Sequence, residues 1–387
     1  MSVALSNPVP WFAICALCLL AARGIAAASG FYRARLGEGR ASRFECVDGL
    51  RGFLALGVFG DHAVNMYTLL ALGVWDAHPA SFHAIAAHAG VSLFFAITAF
   101  LFWLRVLRSG ASLDTRALYL SRLRRLVPMY AVSVALSLLV VLAVSGFVLH
   151  EGIFALLHEL RPWFSFGFMR TAATNGVQDA HAVNAVYWTL AYEWGFYIAL
   201  PFLALLSRER WSPVLFGAVV FFGTQSPIVL NFLAGALVAE IVHRRSLAGR
   251  LGSWWLAPLP LAALAAYFAD GLPGIARPLL VFVFLLFVVH GYSLFGLLRT
   301  YAAKLLGMVS YSIYLSHCIV LYVMAHALDA ITPIGGVAPL SYWTLAALAA
   351  VATVLLSTLT FRVVEYPFIN FEPAGRLPST SPRAQSA

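Results

Sequence analysis

Charge is what this sequence has least of. Only 11% of its 387 residues are Asp, Glu, Lys or Arg, against 61% hydrophobic, whereas soluble domains carry about 25% charge. That scarcity excludes a row of soluble domains and points to a polytopic membrane protein, as does the mean hydropathy of +0.86. Acids are the scarcer sign, 16 against 25 Lys and Arg, giving a net charge of +9. In a soluble protein that excess would suggest nucleic acid, but here the basic residues gather in short segments between apolar runs, where they set orientation. Cysteine is scarce too. Cys15, Cys18, Cys46 and Cys318 have neither zinc-type nor secreted-disulfide spacing and read as packing residues. There is no HExxH motif, no pair of CxxC motifs, no P-loop and no G-x-S-x-G elbow, so no metal is expected.

Long hydrophobic runs are abundant. They lie near 9–30, 50–75, 84–104, 127–149, 184–206, 212–224, 226–242, 254–269, 276–295, 304–328 and 341–363. The expected fold is all-α, a transmembrane bundle of about 10–11 helices. Arg105, Arg108, Arg116, Arg122, Arg124 and Arg125 stand against a single acid, Asp114, between the third and fourth runs, which makes that loop cytoplasmic. Alternation then puts Arg33–Arg43, Arg208/Arg210, His243–Arg250, Arg299/Lys304 and the C-terminal tail inside as well. The loop at 150–183 becomes the longest external one. Ala26-Ala27-Ala28-Ser29 resembles a cleavage site, but no basic segment precedes the first run and positive charge follows it, so a retained helix with an external N-terminus is expected. Three parts follow: an extra helix and basic linker at 1–44, a main membrane domain at 45–370, and a Pro/Ser-rich disordered tail at 371–387. No transporter-type repeat is evident.

Two ionisable residues share one apolar run. Arg51 and His62 have ten residues between them, so on a helix His62 lies roughly 16 Å from a surface arginine, near the middle of a ~30 Å hydrocarbon layer. An ionisable group at that depth is a functional hypothesis by default. Glu193, in YWTLAYEWGFYIALP, enters from the opposite side to a similar depth. A carboxylate there would fix the imidazole tautomer and make His62 a general base; otherwise each residue bonds separately to backbone or water. Arg122 and Arg125, at i and i+3, share a helical face and with Arg51 would clamp a polyphosphate, although snorkelling arginines look the same. Asp61 beside His62, Tyr192 beside Glu193, and Tyr314 and His317 in LGMVSYSIYLSHCIVLY are candidates to line a substrate cavity or to bond helix to helix. Glu240 and Arg244 read as a structural i, i+4 pair.

These motifs, in order, resemble membrane acyltransferase family 3, which includes O-antigen, exopolysaccharide and Nod-factor acyltransferases. VDGLRGFLALGVFGDH is similar to its opening helix with R-x10-H, Arg122-x-x-Arg125 to its RxxR motif, and GVSLFFAITAFLF to its second helix. YWTLAYEWGFYIALP resembles its W-S-L-x-x-E segment, and NFLAGALVAEI, LGMVSYSIYLSH and VVEYPF follow in the expected places. Asp61, Ser92 in place of a common Asp, and the extra N-terminal run depart from the pattern, and the SGNH-type domain of some relatives is not expected. The resemblance implies an integral membrane O-acyltransferase of the bacterial inner membrane. It would move an acyl group from cytoplasmic acyl-CoA, acetyl-CoA in the first instance, to a hydroxyl of an extracytoplasmic glycan or glycoside. Arg51, Arg122 and Arg125 would hold the CoA phosphates, and His62 would act as base or acyl relay with Glu193 supporting it. A flippase or small-molecule carrier would also be polytopic and basic inside, but would need neither R-x10-H nor RxxR.

Overall fold

A computed structural model describes residues 5–37, 44–75, 81–109, 114–206, 226–244, 251 and 256–371. The run at 212–224 lies outside these residues. The chain is an all-α helical bundle. Helices α1 (Val9–Ala28), α2 (Gly30–Gly37), α3 (Glu45–Leu72), α4 (Phe82–Ser109) and α5 (Thr115–Val144) come first. After α6 (Ile153–Leu160) and an irregular stretch follow α7 (Trp188–Leu206), α8 (Pro227–Arg244), α9 (Pro258–Tyr267) and α10 (Ala276–Val289). The chain closes with α11 (Tyr301–Met308), α12 (Ser310–Asp329) and α13 (Pro339–Thr360), the last continuing through a π-helical turn at Phe361–Glu365 to α14 (Tyr366–Ile369). Among the described residues seven segments are long and apolar enough to cross a membrane, with α9 and α10 as shorter apolar helices.

The basic segment between the third and fourth runs is largely helix, not loop. Asp114 caps α5, its Oδ1 accepting the Ala117 N–H at 2.9 Å, so helix starts before the arginines and carries Arg116, Arg122, Arg124 and Arg125 on ordered turns. The run at 304–328 is likewise two helices, broken at Val309. Glu240 is more than a local partner of Arg244 (3.0 Å), since it also accepts from Trp103 Nε1 across the α4–α8 contact at 3.1 Å.

Helix α3 is the centre of the bundle. It packs on α4, α11 and α12, and its glycines let backbones touch. A Cβ on Gly49 would stand 2.0 Å from the Leu298 carbonyl oxygen, one on Gly307 of α11 would stand 1.7 Å from that of Asp48, and one on Gly90 of α4 would stand 2.8 Å from that of Leu54. Small residues allow such approach between apolar helices. The α1 helix packs on α11 and α13 and donates Trp11 Nε1–H to the Leu56 carbonyl at 3.0 Å.

The stretch between α5 and α7 is tied down by its polar side chains. Buried Trp163 donates to Thr174 Oγ1 at 3.1 Å, Asn184 donates to Ser133 and Ser137 of α5 at 3.1 and 3.0 Å, and Asp179 pairs with His326 of α12 at 3.3 Å. Gly167, at φ +82, brings its Cα against the Tyr187 carbonyl, where a Cβ would stand 1.9 Å from the oxygen.

Two outcomes follow from these contacts. Gly307→Ala should destabilise the protein by about 1–3 kcal/mol as α11 is pushed off α3, read as a lower unfolding temperature in detergent. The hydrogen bond from His326 holds the Asp179 carboxyl below the usual range; a depressed acid stabilises at neutral pH, and that contribution disappears as pH falls through its folded-state value. Asp179→Asn should therefore lower the unfolding temperature at pH 7 by about 1–2 °C, and the gap from wild type should close on acidification below about pH 4.

Candidate active site

Four arginines converge on one cavity. Arg51 of α3, Arg105 of α4 and Arg122 and Arg125 of α5 line a space of about 280 Å³ together with Glu193 of α7 and Tyr311 and Tyr314 of α12. The cavity is amphiphilic, since Phe94, Phe95, Phe102 and Leu126 supply apolar wall. Arg122 is steadied over the Phe102 ring, 4.8 Å from its centroid, and lies 6.0 Å from that of Tyr197. Glu193 accepts a short hydrogen bond from Tyr197 one turn along α7. With four guanidinium groups against one carboxylate, the space is made for an anion, and a guanidinium fork matches phosphate oxygens.

Glu193 is therefore not the partner of His62. The sequence leaves open a His62–Glu193 pair, but the structure gives Glu193 to Tyr197 inside the arginine-lined cavity and pairs His62 with His317: Nδ1 of His62 lies 2.8 Å from Nε2 of His317, the rings edge to edge with centroids 5.1 Å apart and 9° between planes. The other His317 nitrogen, Nδ1, is 3.0 Å from the Ile313 carbonyl. A carbonyl only accepts, so Nδ1 carries the proton of neutral His317 and Nε2 presents a lone pair. That lone pair requires His62 to donate through Nδ1–H, which leaves Nε2 of His62 bare as a base. A neutral imidazole thus orients His62 where the sequence suggested a carboxylate. His62 is partly exposed, and on its far side are Trp75 at 5.8 Å and then His181 at 5.9 Å between ring centroids.

Cys318 belongs to the same cluster. Its Sγ is 3.2 Å from His62 Nδ1 and 3.5 Å from His317 Nε2, so one of the four cysteines read as packing residues sits on the dyad. No sequence spacing links residues 62 and 318; the signal was only the adjacency of His317 and Cys318 in a polar apolar-run motif. These three donor atoms lie within 4.8 Å of one another and could grip a soft cation. The 2.8 Å N–N separation is that of a hydrogen bond; around a tetrahedral zinc with bonds of ~2.0–2.1 Å it would be wider.

The two clusters meet through α12. Tyr314 lines the arginine cavity, donates or accepts with Thr189 Oγ1 at 2.9 Å, and its ring is 6.1 Å from that of His317 one turn on. Of the remaining candidates, Asp61 accepts from Asn65 Nδ2 at 3.1 Å, and Tyr192, 39% exposed, turns toward Trp188 and Phe95 and is not among the cavity's lining residues. Ser92 bridges Asn231 and Tyr267 at 3.0 and 3.2 Å, a helix-to-helix role. Glu365, which the sequence supplied only as part of VVEYPF, is buried and accepts from Ser312.

Residues 44–362 match the family model described as an acyltransferase domain, acyltransferase 3. The chain belongs to this family. It is a membrane acyltransferase, and the arginine cavity and histidine dyad both fall inside the matched segment. Nodulation protein 10 of Rhizobium leguminosarum bv. viciae is 29% identical over 356 residues, covering 83% of this chain and 92% of that protein. No solved structure matches.

His317→Ala removes the acceptor that orients His62 and should reduce acyl transfer roughly 100-fold or more. Cys318→Ala removes only a weak sulfur contact and should cost less than about tenfold. Equal losses in the two variants, measured as turnover in membranes with matched protein levels, would refute the ranking.

Proposed function

We propose that this acyltransferase is an O-acyltransferase of the bacterial inner membrane, taking an acyl group, acetyl in the first instance, from cytoplasmic acyl-CoA and esterifying a hydroxyl of an extracytoplasmic glycan or glycoside. The observation that carries the reading is the placing of an arginine-lined cavity and an oriented, basic imidazole at two levels of the same helix, α3. The arginines face the side made cytoplasmic by the positive-inside rule, where CoA is available. His62 is reached from the other side, past Trp75 and His181.

Arg51, Arg122 and Arg125 hold the donor's phosphates, while the apolar wall takes the rest of its arm. The acceptor hydroxyl approaches Nε2 of His62, which takes its proton as the oxygen attacks the thioester carbonyl. The C–S bond breaks, CoA leaves as thiolate, and the proton follows to sulfur. Should His62 relay the acyl group, the same lone pair would carry it. His317 holds the tautomer and shares the charge that develops on His62. Glu193 acts on the other cluster, offsetting part of the arginines' mutual repulsion and setting the field the donor meets. The family match and the nodulation relative support acyl transfer; donor chain length and the glycan acceptor are part of the proposal.

The test compares the periplasmic and surface glycans of cells carrying the wild-type chain, His62→Ala or an empty vector, by mass spectrometry. An alkali-labile acyl increment is expected in the wild type alone, with His62→Ala present in the membrane at normal level. Identical glycans in all three, or full activity of His62→Ala, would overturn the reading, and a change only in the amount of exported glycan would favour a transporter.

A further inference from the structure

A second cavity, of about 410 Å³, adjoins the first, and Arg51 and Arg125 line both. Its other cations are Arg35 and Lys304, its acids Glu45 and Asp48. Lys304 is already committed to Glu45 at 3.3 Å. Arg35 is not committed in that way. Its guanidinium lies in the corner made by the edge-to-face rings of Phe31 and Tyr366, 3.6 and 4.0 Å from their centroids, and Nη1 donates to the Phe31 carbonyl at 2.9 Å. Its Nε is buried and has no hydrogen-bond partner among the described residues. Leaving a charged donor desolvated and unpaired is costly, and packing against two rings at once restricts the freedom that would let Arg35 swing to water. A rigid cation with a spare donor on a cavity wall is built for an anion. Arg35 and Tyr366 lie on either side of the family-matched segment, 44–362, so this corner is made by chain that flanks the shared domain.

We propose that the second cavity binds the nucleotide end of the acyl donor and that Arg35 recognises its ribose 3′-phosphate. The inference rests on acyl-CoA being the donor. Acyl-CoA is linear, with a thioester at one end, a diphosphate in the middle and a 3′-phosphorylated adenosine at the other. With the thioester in the cavity of Glu193 and Tyr314, the wall shared by the two cavities, Arg51 and Arg125, meets the diphosphate. The terminal phosphate then lies beyond that wall, in the space lined by Arg35.

The experiment measures binding of CoA and of 3′-dephospho-CoA to the full-length protein in nanodiscs of zwitterionic lipid. The wild type should prefer CoA by roughly tenfold to a hundredfold, the worth of a charge-assisted phosphate contact. In Arg35→Gln the preference should shrink to about twofold or less, and Arg35→Lys, which keeps the charge without the fork, should retain an intermediate part. Equal binding of the two ligands by the wild type overturns the proposal without recourse to any variant, and so does an undiminished preference in Arg35→Gln. If adding phosphatidic acid to the nanodiscs erases the preference only when Arg35 is present, the site belongs to a lipid phosphate and the proposal is also overturned. Failure of the wild type to bind either ligand, or to use any acyl-CoA, would instead bring down the donor assignment on which it rests.

Discussion

Backbone-to-backbone contact along α3 is the constraint on which the site depends. Gly49 rests on the Leu298 carbonyl, Gly307 on that of Asp48, and Gly90 on that of Leu54, so α3 is held from two sides at distances no side chain would allow. A helix held in that way is a fixed ruler. Arg51 and His62, with ten residues between them, are therefore kept at a set separation of roughly 16 Å along the axis, and neither can drift toward the other to relieve the cost of being charged or polar in an apolar bundle. The cavity next to Arg51 and the dyad at His62 inherit their spacing from this packing, not from any direct contact between them.

Burial then decides which groups pair. Four arginines cannot share one apolar enclosure without a counter-charge, and Glu193 is the carboxylate that lines the enclosure with them. Had Glu193 been spent on His62, the guanidinium groups would face one another across the cavity with no carboxylate among them. The imidazole has a cheaper solution, because a second imidazole whose far nitrogen is bound to the Ile313 carbonyl can accept its hydrogen bond without importing a net charge. The bundle thus keeps its charged cluster and its neutral dyad apart, with Tyr314 between them.

Much of this was legible in the sequence, for physical reasons that differ from residue to residue. Apolar runs must span as helices in lipid, which made the all-α bundle readable, and an ionisable residue deep in such a run advertises itself, which is how His62, Glu193 and His317 were found. Arg122 and Arg125 were readable from i, i+3 geometry and do line one cavity. Partnerships were not readable, because helical depth gives one coordinate and pairing needs rotation and neighbourhood as well. His62 and Glu193 have comparable depth yet face different groups; His62 and Cys318, 256 positions apart in sequence, touch at 3.2 Å. Helix boundaries failed where a local feature overrode hydropathy: the Asp114 cap carries helix out beyond the apolar run through the arginines, and the close approach at Gly307 accompanies a break at Val309 inside an unbroken apolar run.

The two-cluster arrangement also bears on how, in the proposed reaction, one protein would serve substrates from opposite sides of a membrane. A continuous polar channel from Arg51 to His62 would carry protons and ions along with the acyl group, whereas a path closed by aromatic rings would not. Between the clusters stands Tyr314, hydrogen-bonded to Thr189 at 2.9 Å, its ring 5.9 Å from that of Phe94 in the arginine cavity and 6.1 Å from that of His317 in the dyad. A side chain in that position has to move for an extended acyl arm to pass from one cluster to the other. In the proposed reaction the donor's binding energy, gathered on arginines remote from the reacting carbon, would be available to move that side chain. The arginines would then do more than raise affinity: by holding the phosphates on one side they would drive the thioester past Tyr314 toward the imidazole on the other.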